Sequence, residues 1–258
     1  MFSKHRELIW SFTKRDVVGR YRGSVLGILW SFINPLFLLI IYTIVFAIIL
    51  KVKFGNSSSP SLYGLYLFCG LIPWTAFSET IGKSTTVVIG NVNLVKKTVF
   101  PLEILPVTVT LSGIIHSLFG MVIIIAGIMI IKDQPLYPTS FVLPLVIIPQ
   151  LLITLGLGWF LSSLSVFVRD TAEVIRILIR GWMFLTPIMY PAESIQGKLK
   201  YLLYMNPMTY IIEGYRDVLL RGRLPDKSLI VVTVLGVLFS MAGYAWFMKT
   251  KKAFADVI

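Results

Sequence analysis

The sequence has few charged residues, one cysteine and two histidines, and these scarcities exclude several kinds of protein. Only 14% of the residues are charged whereas 56% are hydrophobic, a composition outside the range of soluble globular proteins. Cys69 has no second cysteine to pair with, so neither a disulfide scaffold nor a thiol metal cluster is available. Paired carboxylates, metal-spaced histidines and a nucleophile motif are also absent from the sequence. We therefore expect neither a metal site nor an enzymatic activity.

A phosphate-binding loop is missing as well. The tripeptide Gly82-Lys83-Ser84 resembles the end of such a loop, but Phe77 occupies the position that its first glycine would need. The sequence therefore carries no Walker A motif. We expect no cofactor in this chain.

Basic residues outnumber acidic residues, 24 to 12, which gives a net charge of +12. Such an excess can indicate nucleic-acid binding when it is gathered on one soluble face. Here the basic residues are spread over the segments between apolar runs. We therefore expect the chain to interact with the membrane surface and not with a nucleic acid.

The most informative stretch is residues 20–50, in which a basic flank leads into an apolar run. No side chain between Leu29 and Leu50 is charged at neutral pH, and a helix of that length crosses the roughly 30 Å hydrocarbon layer. Asn34-Pro35 lies inside this run. Because lipid offers no hydrogen-bond partners, we expect a break there, with neighbouring protein satisfying the carbonyl groups that proline frees.

The remaining apolar runs predict an all-α polytopic membrane protein with one permease domain at 23–258, preceded by an interface helix at 1–22. The six predicted spans cover about 29–50, 62–81, 104–131, 141–168, 174–190 and 229–248. Residues 82–103 read as a polar segment. Between Pro191 and Lys227 the apolar pieces are too short to cross, so we predict two short re-entrant helices at about 192–222.

The first 22 residues are predicted to form a basic amphipathic helix in the headgroup layer. One broad face holds Phe2, Leu8, Ile9, Trp10, Phe12 and Val17. The opposite face holds Ser3, Lys4, Glu7, Ser11, Lys14 and Arg15. The helix is either a simple anchor or a docking surface for a partner.

Two titratable residues fall in predicted spans. Glu79 is near the end of its run, so it either serves a function inside the membrane or lies at the interface. His116 has no second titratable group one turn away. It is therefore interpreted as a hydrogen-bonded contact between helices rather than a proton relay.

Small residues and caps predict local structure in the second half of the chain. Gly156 and Gly158 would let helix backbones approach closely. Asn206-Pro207 is typical of a helix start, and Gly222 of its end. Within that helix, Met208, Ile211, Ile212, Tyr215, Val218 and Leu219 form the predicted buried face. The predicted charge-paired outer face consists of Glu213, Arg216, Asp217 and Arg221.

Orientation follows from the distribution of lysine and arginine. With six spans both termini lie on one side, and the segments on that side hold more lysine and arginine than those on the other. The positive-inside rule then predicts that both termini are cytoplasmic.

A series of motifs, in order along nearly the whole chain, resembles one family. The motifs are Arg15-Asp16, Arg20-Tyr21-Arg22-Gly23-Ser24, Leu26-Gly27, Leu29-Trp30, Asn34-Pro35-Leu36, Tyr42-Thr43-Ile44-Val45-Phe46, Gly70-Leu71-Ile72-Pro73-Trp74, Asn93-Leu94-Val95-Lys96-Lys97, Phe100-Pro101, Phe167-Val168-Arg169-Asp170, Leu185-Thr186-Pro187-Ile188 and Asn206-Pro207. The sequence resembles the membrane subunit of type 2 ABC exporters of lipid-linked polysaccharide, the O-antigen (Wzm) and teichoic acid (TagG) permeases.

The resemblance implies a homodimer in a bacterial inner membrane, docked on two copies of an ATPase subunit that binds ATP and Mg. It implies cytoplasmic docking through the N-terminal helix and the 82–97 segment, for which the candidates are Trp10, Lys14, Arg15, Asn93, Lys96 and Lys97. It also implies an outer gate in the re-entrant region, with candidates Pro191, Asn206, Pro207, Tyr210 and Tyr215.

Transport of a lipid-linked glycan needs surfaces for sugar rings and for the pyrophosphate of the lipid. Aromatic side chains that would stack on sugars, or would merely form an interfacial belt, are Tyr42, Trp74, Phe77, Trp159 and Trp182. Arginines that would meet the headgroup, or would merely set topology, are Arg20, Arg22, Arg169, Arg176 and Arg180. The alternatives are a type 2 ABC permease for a drug or small lipid, a membrane glycosyl- or phosphotransferase, and a passive channel or scaffold.

Overall fold

A computed structural model describes residues 5–52, 59–96, 100–132 and 135–257. Helices account for all the regular structure in these ranges, which confirms the all-α class. The α-helices are α1 Arg6–Gly19, α2 Trp30–Tyr42, α3 Pro60–Val87, α4 Val92–Lys96, α5 Ile104–Ile131, α6 Leu143–Phe167, α7 Thr171–Phe184, α8 Lys198–Met205, α9 Pro207–Arg216, α10 Ser228–Thr250 and α11 Phe254–Val257. Two are extended by π-helical turns, α2 by Thr43–Ile49 and α9 by Asp217–Arg221.

Four helical segments are long and apolar enough to cross a membrane: Gly27–Ile49, Ile104–Ile131, Pro138–Phe167 and Ser228–Val257. They correspond to the predicted first, third, fourth and sixth spans. Helix α7, with 14 residues, is only about 21 Å long. The six spans and the two re-entrant helices therefore remain predictions.

Helix α3 lies at the centre of the bundle, where α5, α6, α7 and α9 pack around it. It is 28 residues long, about 42 Å, and most of its side chains are buried. A helix surrounded by protein does not need an apolar surface toward lipid, which explains the buried Thr80, Ser84 and Thr85. The helix continues to Val87, so the polar segment predicted from Gly82 onward begins as part of this helix.

Helices α6 and α10 form the most extensive helix pair, and glycines bring their backbones together. A Cβ atom at Gly243 would overlap the Gly156 carbonyl oxygen, and one at Gly156 would lie 2.5 Å from the Phe239 carbonyl oxygen. The predicted close approach at Gly156 is therefore confirmed. Gly158 faces α3 instead, where its Cβ would lie 3.1 Å from the Ser84 hydroxyl.

The expected break at Asn34-Pro35 is absent, since α2 runs through Pro35 without interruption. The carbonyl that Pro35 deprives of its helical partner belongs to Ser31, and Ser31 is fully buried. Neighbouring protein is present as expected, for example in the edge-to-face contact of Phe32 with Phe119 of α5 at 5.2 Å. The irregular turn comes later, at Thr43–Ile49.

Candidate functional site

Three of the five predicted channel aromatics meet between α3 and α7. The ring centroids of Trp74 and Phe77 are 5.7 Å apart, and Trp182 lies 6.2 Å from Trp74 and 5.3 Å from Phe77, edge to face in both cases. Trp74 is 3% exposed and Phe77 is fully buried, whereas Trp182 is half-buried. Within one copy of the chain, Trp182 therefore offers the accessible surface of this cluster.

The other two predicted channel aromatics lie elsewhere. Tyr42 packs on Phe46 at the end of α2, with centroids 6.1 Å apart. Trp159 is buried in a second core cluster against Tyr244 of α10, at 5.1 Å, and its indole N–H donates to the Glu103 carbonyl at 2.9 Å. The five aromatics therefore do not form one continuous surface in the single chain.

A polar groove of about 500 Å³ adjoins the aromatic cluster along the same pair of helices. From α3 it is lined by Ser78, Glu79, Gly82, Lys83, Thr85 and Thr86, and from α7 by Ala172, Arg176, Ile179 and Arg180. The boundary between α3 and α7 thus presents hydroxyl and charged groups next to aromatic rings. This combination is suited to sugars, whose C–H faces stack on rings while their hydroxyls need polar partners.

The five predicted headgroup arginines divide among separate places. Arg176 and Arg180 line the groove. Nη1 of Arg176 donates to both carboxylate oxygens of Glu173, at 2.8 and 2.7 Å. Arg180 makes no hydrogen bond or ion pair with any residue that the structure describes. Arg20 reaches Glu79 from the other side of α3, with a 2.5 Å contact. The remaining two, Arg22 and Arg169, are exposed and do not line this groove.

His116 is placed as the sequence predicted. Its Nδ1 atom lies 3.0 Å from the Tyr21 hydroxyl, which is hydrogen-bond distance between α5 and the turn that follows α1. Glu79 and His116 also line one small cavity, of about 90 Å³, beside Asn34 and Pro35. Glu79 thus combines an ion pair with a position on two cavities, which the sequence did not reveal.

Helix α1 packs on α5, and its buried side differs from the prediction. Thr13 is fully buried, and Ile9, Phe12 and Val17 are half-buried. Leu8 and Trp10 point outward instead, and Trp10 is 62% exposed. The predicted apolar face therefore splits, so that its tryptophan is free for contact outside the chain.

The remaining docking candidates are also at the surface. Lys14 and Arg15 on α1 are exposed, as are Asn93 and Lys96 on α4. Lys97 lies outside the described residues. Phe12 of α1 packs on Phe100, which precedes α5, with ring centroids 5.2 Å apart.

Asp16 fixes α1 to the bundle. It accepts hydrogen bonds from Lys83 Nζ on α3 at 3.0 Å and from the Ser112 hydroxyl on α5 at 2.5 Å. Burial raises the pKa of Asp16, but the hydrogen bonds from Ser112 and Lys83 outweigh that effect and leave the pKa below its usual value. The carboxylate is therefore charged at neutral pH and joins three helices.

The predicted start and end of α9 are confirmed. The Asn206 side chain accepts from the Met208 amide at 3.0 Å, Pro207 is the first helical residue, and Gly222 ends the turn with φ of 66°. The Asn206 amide also donates to the Thr186 hydroxyl at 2.8 Å, which ties this cap to the turn after α7.

The other gate candidates differ in exposure. Tyr210 is half-buried against Tyr204, with centroids 6.0 Å apart, and Pro191 is half-buried before a short 3-10 turn. Tyr215 lies in the core, where its hydroxyl donates to Gln150 of α6 at 3.3 Å. All six residues of the predicted buried face of α9 are indeed buried.

The predicted outer face of α9 is wrong for Arg216. Its side chain is fully buried, pairs with Glu213 at 2.6 Å, and donates to the carbonyls of Tyr66 at 3.2 Å and Ile188 at 2.9 Å. Arg221 completes the charge pairing, with contacts to Glu213 at 2.7 Å and Asp217 at 2.9 Å. The sequence signal for this burial is Gly70, the residue of α3 against which the Arg216 guanidinium lies.

The described residues contain no group of three His, Cys, Asp or Glu side chains placed to hold a metal ion. Cys69 is fully buried in the main core.

The chain is similar to known transport proteins. A profile of the ABC-2 type transporter family matches residues 7–220. The chain is 29% identical over 252 residues to an O-antigen export system permease protein, RfbA, of Klebsiella pneumoniae, covering 98% of this chain and 95% of that protein. It is 28% identical over 258 residues to RfbA of Myxococcus xanthus, covering 99% and 96%, and 26% identical over 217 residues to the polysialic acid transport protein KpsM of Escherichia coli, covering 82% and 81%.

Proposed function

This chain belongs to the ABC-2 type transporter family, and on that premise we propose that it is the permease subunit of an ATP-driven exporter of a lipid-linked polysaccharide of the O-antigen kind. The observation that carries the proposal is similarity over nearly the full length to permeases named for O-antigen export. The family consists of transport components rather than enzymes, in line with the expectation from the sequence.

The energy source in this proposal is a separate ATPase subunit that binds ATP and Mg. The docking surface consists of the outward side of α1, with Trp10 and Lys14, and the exposed side of α4, with Asn93 and Lys96, whereas the Arg15 guanidinium lies against Phe12. These side chains are exposed. Helix α1 packs on α5, and α4 follows α3 through the 3-10 turn Ile89–Asn91 and packs on α11. A change in contact with the ATPase would thus bear directly on the bundle, as coupling requires.

The working unit is a homodimer in the bacterial inner membrane, with both termini in the cytoplasm. Arg176 and Arg180 lie on α7, most of whose surface is exposed in the single chain. Charged groups within a membrane protein face an interior or water-filled cavity. We place the groove between α3 and α7 along the path of the glycan, with Trp182 supplying the stacking surface.

Arg176 and Arg180 would contact the anionic headgroup of the lipid-linked substrate. Attraction of an anionic surface is worth about 1 kcal/mol per basic residue, enough to concentrate such a lipid. Arg176→Gln and Arg180→Gln variants that insert normally should lose stimulation of the ATPase by lipid-linked glycan. If the glycan still stimulates the ATPase to the same extent, these arginines only set the orientation of the chain in the membrane.

The proposal as a whole is tested by deleting the gene and restoring it on a plasmid. Surface glycan should disappear on deletion, lipid-linked glycan should accumulate on the cytoplasmic side, and the plasmid should reverse both. A full complement of surface glycan in the deleted cells would refute the proposal. Export of a drug or small lipid by the purified complex, without glycan transport, would favour the alternative permease function.

A further inference from the structure

A further cavity shares the lining residue Lys83 with the groove between α3 and α7. It is a cleft of about 440 Å³ bounded by α1, the end of α3, residue Asn91 and the start of α5. Its apolar lining consists of Phe12, Val87, Leu105 and Val109, and its polar lining includes Arg15, Asp16, Arg20, Lys83 and Asn91. The cleft is therefore amphipathic, with cations beside an apolar wall.

Positive charge exceeds negative charge in this cleft. Asp16 is its acidic lining residue and is already paired with Lys83 at 3.0 Å. Arg15 is exposed, and its guanidinium lies 4.2 Å from the centroid of the Phe12 ring, at the edge of the apolar wall. Arg20 contacts Glu79 through one nitrogen, while its Nε and Nη2 have no hydrogen-bond partner in the part of the chain that the structure describes.

The position of the cleft corresponds to the headgroup layer. Helix α1 ends at Gly19, and residues 20–26 join it to the span that begins at Gly27. Residues on this connection therefore lie where the first span leaves the hydrocarbon. At that depth the molecules with a negative headgroup and an apolar body are anionic phospholipids.

We propose that the cleft between α1, α3 and α5 binds an anionic phospholipid of the surrounding membrane, with the phosphate near Arg15 and an acyl chain against the half-buried Phe12 and Val87. This lipid is a resident ligand and not the transported substrate. It would hold α1 against the bundle. The inference does not depend on which molecule the transporter exports.

The test uses the full-length protein purified in mild detergent, stripped of lipid and titrated with phosphatidylglycerol, with phosphatidylcholine and with inorganic phosphate, and read by native mass spectrometry. Phosphatidylglycerol should bind saturably and more tightly than phosphatidylcholine, and millimolar phosphate should not displace it. Equal binding of both lipids, or displacement by phosphate, would overturn the proposal.

Substitutions at Asn91 distinguish charge attraction from general damage to the fold, because they should act in opposite directions. Asn91→Lys should tighten phosphatidylglycerol binding about fivefold and Asn91→Asp should weaken it about fivefold, the change expected for about 1 kcal/mol per charge. Arg15→Gln should weaken binding to a similar extent. Arg6→Gln, at an exposed position of α1 outside the cleft, is the matched control and should leave it unchanged.

A misfolded variant cannot produce tighter binding, so the Asn91→Lys result is informative even if other variants are unstable. If Asn91→Lys and Asn91→Asp change the affinity in the same direction, or if Arg15→Gln equals Arg6→Gln, the assignment of the cleft is wrong.

Discussion

Gly70 of α3 lies directly against the guanidinium of Arg216 from α9. A Cβ atom at Gly70 would be 3.2 Å from Arg216 Nη2 and 3.3 Å from the Cα atom of Ile188. The absence of a side chain at one residue thus makes room for a fully buried charge from another. This relationship joins the central helix to the region proposed as the outer gate.

Gly70→Ala should lower the thermal stability of the purified protein relative to Gly82→Ala. Alanine in a helix interior is ordinarily favourable over glycine by up to about 1 kcal/mol. At Gly82 no atom of the described residues lies within 4 Å of the new methyl group, so that gain should appear, whereas at Gly70 it is opposed by contacts with backbone and guanidinium. Equal melting temperatures for the two variants would contradict the packing described here.

Replacing Arg216 should lower protein stability and export more than replacing Arg223, which follows the same helix. Arg216→Ala would leave the half-buried Glu213 carboxylate and two carbonyl groups without this partner, a loss of about 3 to 5 kcal/mol. Arg216→Lys should restore little, because an ammonium group lacks the planar fork that reaches several acceptors. Arg223 is exposed, and Arg223→Ala should preserve stability and export. Thermal melting and surface glycan measure the two properties separately.

Gly243→Ala and Gly156→Ala should disrupt the pairing of α6 and α10. The new methyl groups would meet backbone atoms of the facing helix, which no side-chain rotation can move away. Each substitution should lower the stability of the protein by at least as much as overpacking a core typically does, about 1 to 3 kcal/mol. Gly181→Ala is the control, since its methyl group would meet nothing within 4 Å. Yield of folded protein after detergent extraction should fall for the first two variants and stay normal for the third.

The attachment of α1 should weaken at acid pH. Asp16 has a lowered pKa in the folded protein, so its contribution is present above its unfolded pKa of about 3.9 and is lost as pH falls through the lower folded value. Protection of the α1 amides from hydrogen exchange, taken relative to their intrinsic exchange rates at each pH, should therefore fall below about pH 4. Asp16→Asn should remove this acid-dependent step, and Ser112→Ala should reduce it. If the acid-dependent loss of protection is as large in Asp16→Asn as in the unmodified protein, another titratable group causes it.

Export should depend on Trp182 more than on Trp246. Both are partly exposed aromatic residues, but Trp182 adjoins Trp74 and Phe77 beside the groove, whereas Trp246 on α10 packs on Phe160. Trp182→Ala should reduce the rate of glycan export while leaving assembly with the ATPase intact. If Trp182→Ala and Trp246→Ala export equally well, the stacking role fails.

Several features could be predicted because they depend on neighbours in sequence. The cap at Asn206, the proline after it and the left-handed Gly222 act within one or two turns, so the bounds of α9 were predictable. The apolar face of that helix was correct for the same reason. The charged face was not predicted correctly. Helical spacing shows that Arg216 and Glu213 are adjacent, but it does not show which of them is buried against other helices.

Composition along the chain determined that this is a helical membrane protein, since long apolar runs have no stable alternative in lipid. The order of motifs determined the family. Tertiary structure alone decided which polar residues meet: Asp16 with Lys83 and Ser112, Arg20 with Glu79, and Trp182 with the rings of α3. These partners are distant in sequence, and their contacts depend on how the helices are rotated and packed, which local periodicity does not encode.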